Sequence, residues 1–265
     1  MRHAFLVVAA VLAVAVLPLN ADERDPLAHA RALYNQRDFE GAVAAAEQAR
    51  VMPARADRAD LIAARAYLER YRESATDDDL NQARERLRRL DPQRFGEHER
   101  IEYVVGLGET LFFDGSFGAA ADVFDSVLAR AELLMPDERE RVLDWWASAL
   151  DRDARPRTEF ERQALYQRIR ERMKGELGVA PASAAACYWI SVAARGQGDL
   201  QGAWEAAIAG WVRAPLVSDG GLALRADLDQ LVLRALIPER ARALGQPPET
   251  LREEWERFKE RWTKE

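Results

Sequence analysis

Between Val104 and Leu128 the sequence reads VVGLGETLFFDGSFGAAADVFDSVL, two helical patterns around a short break at Asp114-Gly115-Ser116. Small residues fall where the two helices would face each other, which lets their axes approach closely. One hairpin of this kind cannot bury its own apolar face, so it must stack on others. That requirement narrows the chain to a helical array.

Weaker copies flank it. Ala28, Ala30, Leu33 and Tyr34 form an apolar stripe before Arg37-Asp38-Phe39, and Ala42, Val43, Ala46 and Ala49 form a second after it. Leu61 to Tyr71 and Leu80, Ala83, Leu87 and Leu90 repeat the pattern around a polar break from Ser74 to Asp79. A fourth copy pairs Val142, Trp145, Trp146, Ala149 and Leu150 with Phe160, Leu165, Ile169 and Met173. A fifth pairs Cys187, Ile190, Ser191 and Ala194 with Ala203, Trp204, Ala207 and Trp211 across Gly196-Gln197-Gly198-Asp199-Leu200. The apolar residues after the breaks (Phe39, Leu80, Phe117, Phe160 and Leu200) are spaced by 41, 37, 43 and 40 residues, as expected of a repeating hairpin with variable loops.

Leu107-Gly108, Leu111, Gly115, Phe117, Ala120 and Phe124 stand at the spacings of the tetratricopeptide repeat (TPR) signature, and the chain resembles that family. Ala30, Asp38-Phe39 and Ala42 extend the resemblance to the first copy; Gly198-Asp199-Leu200 and Ala203 extend it to the fifth. The repeats are divergent and longer than usual for the family. The resemblance implies an all-α fold, a right-handed superhelix of stacked antiparallel helical hairpins, with about five hairpins over residues 22–216. Residues 217–265 are expected to form a C-terminal helical cap: a helical pair over Asp227–Leu236 and Pro238–Leu244, then an amphipathic helix from Glu249 to Lys264. Leu251, Trp255, Phe258 and Trp262 lie on one face of that helix. The face suits capping of the last hairpin, and an assembly module or homo-oligomer built through it is an alternative.

The resemblance also implies where a ligand would sit. Front helices of the family line a concave groove, and the matching positions are Arg31, Tyr34 and Asn35, then Arg65 and Glu69, then Glu109, Phe112 and Phe113. Arg31 and Arg65 fall at equivalent places and could together hold a carboxylate. The carboxylate clamp of chaperone-binding members is not reproduced, because Leu27 stands where a base is required. Adjacent Trp145 and Trp146 point about 100° apart on a helix, which leaves one of them free to reach the groove.

The start of the chain carries Arg2 and His3, an apolar run from Ala4 to Leu17, and small residues before Asp22-Glu23. These are the parts of a signal peptide over residues 1–21, cleaved after Ala21, which predicts a periplasmic or secreted protein. The run is shorter than the ~20 residues of a membrane span, so no stable span is expected after cleavage. Only Lys174, Lys259 and Lys264 are lysines among 38 basic residues, an arginine- and alanine-rich composition suited to a GC-rich bacterial genome. Cleavage removes one base and no acid, taking the net charge from −7 to −8. Such a charge argues against general nucleic-acid binding. Cys187 is the one cysteine, so no internal disulfide forms, and its apolar setting fits a core position.

No catalytic, cofactor or metal motif emerges. His98-Glu99 resembles the opening of a zinc-protease helix, but the second histidine is absent and Glu102 stands near its place. Gly106-Leu107-Gly108 lies inside a helix and lacks the strand and lysine of a phosphate loop. Asp77-Asp78-Asp79 lacks the spacing of a calcium loop and suits a helix N-terminus. Glu102 and Glu109 are a candidate carboxylate pair for the alternative function, an all-α carbohydrate-active hydrolase. The favoured expectation is a non-catalytic scaffold of the bacterial cell envelope that binds a protein or peptide partner.

Overall fold

The hairpin turns repeat more faithfully in the backbone than in the sequence. In the computed structural model, which describes residues 25–263, α1 (Pro26–Asn35) and α2 (Phe39–Arg50) form the first hairpin. The pairs α3 (Ala56–Ser74) with α4 (Asp77–Arg89) and α5 (Glu97–Phe113) with α6 (Phe117–Leu128) follow. Next come α7 (Pro136–Ala154) with α8 (Glu159–Val179) and α9 (Ala184–Gly196) with α10 (Leu200–Arg213). The signal peptide expected at residues 1–21 lies outside the described residues. Among those described there is no strand, and no helix is long and apolar enough to cross a membrane.

In four of the five turns a left-handed residue stands two places before the second helix: Arg37 (φ 64°), Ala75 (φ 53°), Gly115 (φ 78°) and Gly198 (φ 77°). A left-handed residue ends a helix by turning its carbonyl row aside. The next residue (Asp38, Thr76, Ser116 or Asp199) is the N-cap of the following helix, and the Asp38 and Asp199 carboxylates accept the N–H of Gly41 and Gly202. Second helices therefore begin 38, 40, 42 and 41 residues apart, a more even period than the apolar markers give. Asp77, Asp78 and Asp79 belong to the first turn of α4, where the helix dipole favours acids; the expected polar break is shorter than its composition suggests.

Two of these residues bear a Cβ that the left-handed region disfavours by about 1–2 kcal/mol. Ala75→Gly is expected to raise stability by about 0.5 kcal/mol, after the ~0.5–1 kcal/mol entropic cost of glycine is subtracted. Urea titration measures it, and a loss of stability would contradict the turn geometry.

The apolar stripes meet as their spacing predicts, with Ala30, Ala42, Ala63, Ala83, Ala120 and Ala149 fully buried. A Cβ on Gly108 would come within 2.6 Å of the Phe124 ring, so the third hairpin closes where α6 lays an aromatic ring on bare α5 backbone. Phe160 departs from expectation at 86% exposure. It sits in the first turn of α8, and Tyr166, Ile169 and Met173 carry the buried face instead. The odd-numbered helices α1, α3, α5, α7 and α9 pack on one another in order, and each even-numbered helix packs on its odd neighbours. The result is two layers of helices.

The C-terminal segment differs from the expected helical pair. α11 (Leu222–Leu231) continues through a π-helical turn at Val232–Leu236 into α12 (Ile237–Leu244) without a loop. Pro238 lacks a donor and its ring crowds the carbonyl four residues back; a wider turn accommodates both and keeps the helix running. α13 (Pro248–Thr263) then folds back on α10. Leu251, Trp255 and Phe258 are buried while Trp262 stays half exposed, so the chain itself occupies most of the amphipathic face.

Candidate functional site

Two cavities open along the face of the odd-numbered helices. The smaller, about 60 Å³, is lined by Tyr34 and Asn35 of α1, Arg65 and Glu69 of α3, Glu102 and Glu109 of α5, and Arg141 and Trp145 of α7, among others. The larger, about 460 Å³, begins at Glu69, Arg141 and Trp145 and runs past Asp144 to Tyr188 of α9 and Asp227 of α11. The shared residues make one groove that touches every odd helix from α1 to α11.

Six of the expected groove residues meet at the smaller cavity. Tyr34, Asn35, Arg65, Glu69 and Glu109 line it, and Arg31 reaches its wall by clasping Glu102 with both guanidinium nitrogens. Phe112 and Phe113 line neither cavity. Phe112 packs edge-on against Phe117 and Trp145 beneath the Arg152 guanidinium, and Phe113 packs against Tyr71 and Trp145. The ridge joining consecutive hairpins takes both rings, because α3 and α7 crowd α5 from either side. Of the tryptophan pair, Trp146 is fully buried and Trp145 reaches both cavities.

The two arginines do not wait together for one carboxylate. Each is engaged by its own glutamate from α5: Arg31 by Glu102, and Arg65 by Glu109 at 2.9 Å. Glu102 and Glu109 lie seven residues apart, two turns along the same face, and so meet arginines from α1 and α3 at matching heights. The family resemblance points Arg31, Arg65 and Glu109 toward one groove, and it carries no information about which charge reaches across. The Arg31–Glu102 pair spans from the first hairpin to the third, passing over α3.

Arg65 and Glu109 are both deeply buried. Their closest atoms, Nη1 and Oε2, sit at ion-pair distance but off the hydrogen-bonding angle, so neither has a hydrogen-bond partner among the described residues. Burial pushes the Glu109 carboxyl up to about 7 against the pull of Arg65, and the nearby Glu69 charge adds to the rise. Burial works against the Arg65 charge, yet Glu109 and Tyr34 hold its pKa above the ordinary value. The Tyr34 hydroxyl accepts a long hydrogen bond from Arg65 Nη2 at 3.5 Å, and burial raises its pKa too. This polar layer is balanced in charge, with Glu69 held by Arg72 at 2.6 Å.

The larger cavity is not balanced. Glu69, Glu140, Asp144 and Asp227 face it against only Arg72 and Arg141. Glu140 accepts the Ala185 N–H at the start of α9, and Asp144 accepts the Trp189 indole N–H at 2.8 Å. Both aspartates are reachable by solvent. The recess desolvates them enough to raise both pKa values, and the Asp144 charge raises Asp227 further. An acidic recess beside the Trp145 and Tyr188 rings is a setting for a cation. Cys187, by contrast, is buried with its thiol pKa raised by that burial, the environment of an inert core residue. Compared with known proteins, the chain matches no family model, no curated protein and no solved structure.

Proposed function

We propose that this chain is a non-catalytic, TPR-like superhelical scaffold, exported to the cell envelope by its leader, that binds an extended segment of a protein partner along the odd-helix face. The groove shared by α1 through α11 carries this reading, since it is long, open and built from side chains on rigid helices. Such a surface binds with little ordering cost. Its occupant is a basic segment, whose lysine or arginine would sit between Asp144 and Asp227 against Trp145 and Tyr188. Arg31 and Arg65 are already engaged internally and serve to hold the groove wall.

The carbohydrate-hydrolase alternative fits less well. Glu102 and Glu109 are both clasped by arginine beside a cavity of about 60 Å³, far below the ~300–1,000 Å³ of ordinary ligand pockets.

The reading is tested by titrating extended peptides of equal length, basic, neutral or acidic, against the protein while following tryptophan fluorescence. Basic peptides should bind, more weakly as salt rises, and the double change Asp144→Asn with Asp227→Asn should lower affinity at least tenfold. Equal binding of acidic peptides, or no effect of the double change, would reject it.

A further inference from the structure

At the mouth of the smaller cavity the structure completes a ligand set that sequence spacing left unfinished. His98 and Glu102 stand one turn apart on α5, and α7 brings Glu138 to them from the following hairpin. One ligand atom from each lies within 4.8 Å of the other two. His98 Nε2 is 3.0 Å from Glu138 Oε1 and 3.3 Å from Oε2. Donors on a tetrahedral zinc, with bonds of about 2.0–2.1 Å, stand roughly 3.3 Å apart, so side-chain rotation alone could draw the three atoms onto one ion. We infer that His98, Glu102 and Glu138 form a binding site for a divalent transition-metal ion of the zinc type.

Three features go beyond the proximity of three ligands. Both carboxylates are held by donors outside the set: Glu102 by the Arg31 guanidinium, and Glu138 by the Met135 backbone N–H at 3.0 Å. Outer partners of this kind fix the orientation of metal-binding carboxylates. A carboxylate has about four lone-pair sites, so Glu102 retains capacity for a metal after both of its oxygens have met Arg31. Finally, Glu102 and Glu138 also line the cavity, which leaves space on its side for water in the remaining coordination position. One imidazole and two carboxylates suit zinc or a similar borderline ion and offer too few oxygens for calcium.

Binding would tie α5 to α7 across the join between the third and fourth hairpins. It would also set an open coordination position at one end of the groove. The inference does not depend on the groove's occupant, because it concerns the metal alone.

The test uses full-length protein stripped of metal with a chelator. Cobalt(II) is titrated first, its visible absorption reporting inner-sphere geometry, and zinc is then added in competition. We expect one equivalent of cobalt with a tetrahedral-type spectrum, displaced by zinc, and a rise in Tm with zinc. His98→Ala and Glu138→Gln should each weaken binding at least tenfold; glutamine preserves an acceptor for the Met135 N–H. Glu97→Gln, an exposed acid beside the set, should leave affinity unchanged. Absence of the cobalt spectrum, or equal affinity of wild type and His98→Ala, would overturn the inference and leave His98–Glu138 as a plain surface ion pair.

Discussion

Replacing Arg65 with alanine is expected to lower stability by about 3–5 kcal/mol, the cost of breaking a buried pair from one side, so that Glu109 either stays buried and uncompensated or takes up a proton. Glu109→Ala should cost a similar amount by stranding the guanidinium. Removing both charges at once, as Arg65→Met with Glu109→Leu, should recover most of the loss, because each ion then no longer has to be taken from water. Chemical denaturation of the four proteins decides the matter. Additive losses in the double variant would mean that the two side chains contribute separately and that their 2.9 Å contact carries no coupling.

The same residue sets a pH dependence. The Glu109 carboxyl titrates near 4.5 when unfolded and near 7 when folded, so the native state holds more protons between those values. Its contribution to stability is therefore full below about pH 4.5 and is lost as pH rises through about 7. Glu109→Gln should lack this decline, whatever its absolute stability.

The second large effect belongs to Trp255. Its side chain is completely buried, with ring centroids 5.6 Å from Trp204 and 5.5 Å from Trp211, and its indole N–H donates to Asp229 at 2.8 Å. Trp255→Ala should cost about 3–5 kcal/mol and lower Tm on the order of 10 °C for a chain of this size. Ending the chain after Gly245 should do more, since Trp204 and Trp211 would both meet water. A truncated protein with unchanged Tm and an altered oligomeric state would show instead that α13 is an interface.

The sequence made the hairpins legible because they rest on local periodicity: alanines at helix contacts, an acid or hydroxyl at the N-cap of each hairpin's second helix, glycine at two of the left-handed turn positions. It hid what depends on tertiary company. Ala75 gives no hint of a left-handed turn, so α4 was expected to start late. Pro238 reads as a break, although a π-turn absorbs it. The family resemblance points to Arg31, Tyr34, Asn35, Arg65, Glu69 and Glu109, which gather at the smaller cavity. Their mutual pairing was invisible, because it depends on how far one helix stands from the next but one. Glu138 was missed for the same reason: its capping bond to Met135 is local and could be foreseen, while its approach to His98 crosses two helices.

The clasp of Arg31 on Glu102 has a consequence for cooperativity. A linear array in which each unit touches only its neighbours can fray from an end, one unit at a time. A strap from the first unit to the third breaks that independence. Opening the first hairpin must release a carboxylate anchored in the third, so the opening energies of these three units are linked. The far end of the array is fastened differently, by α13 folding back on α10.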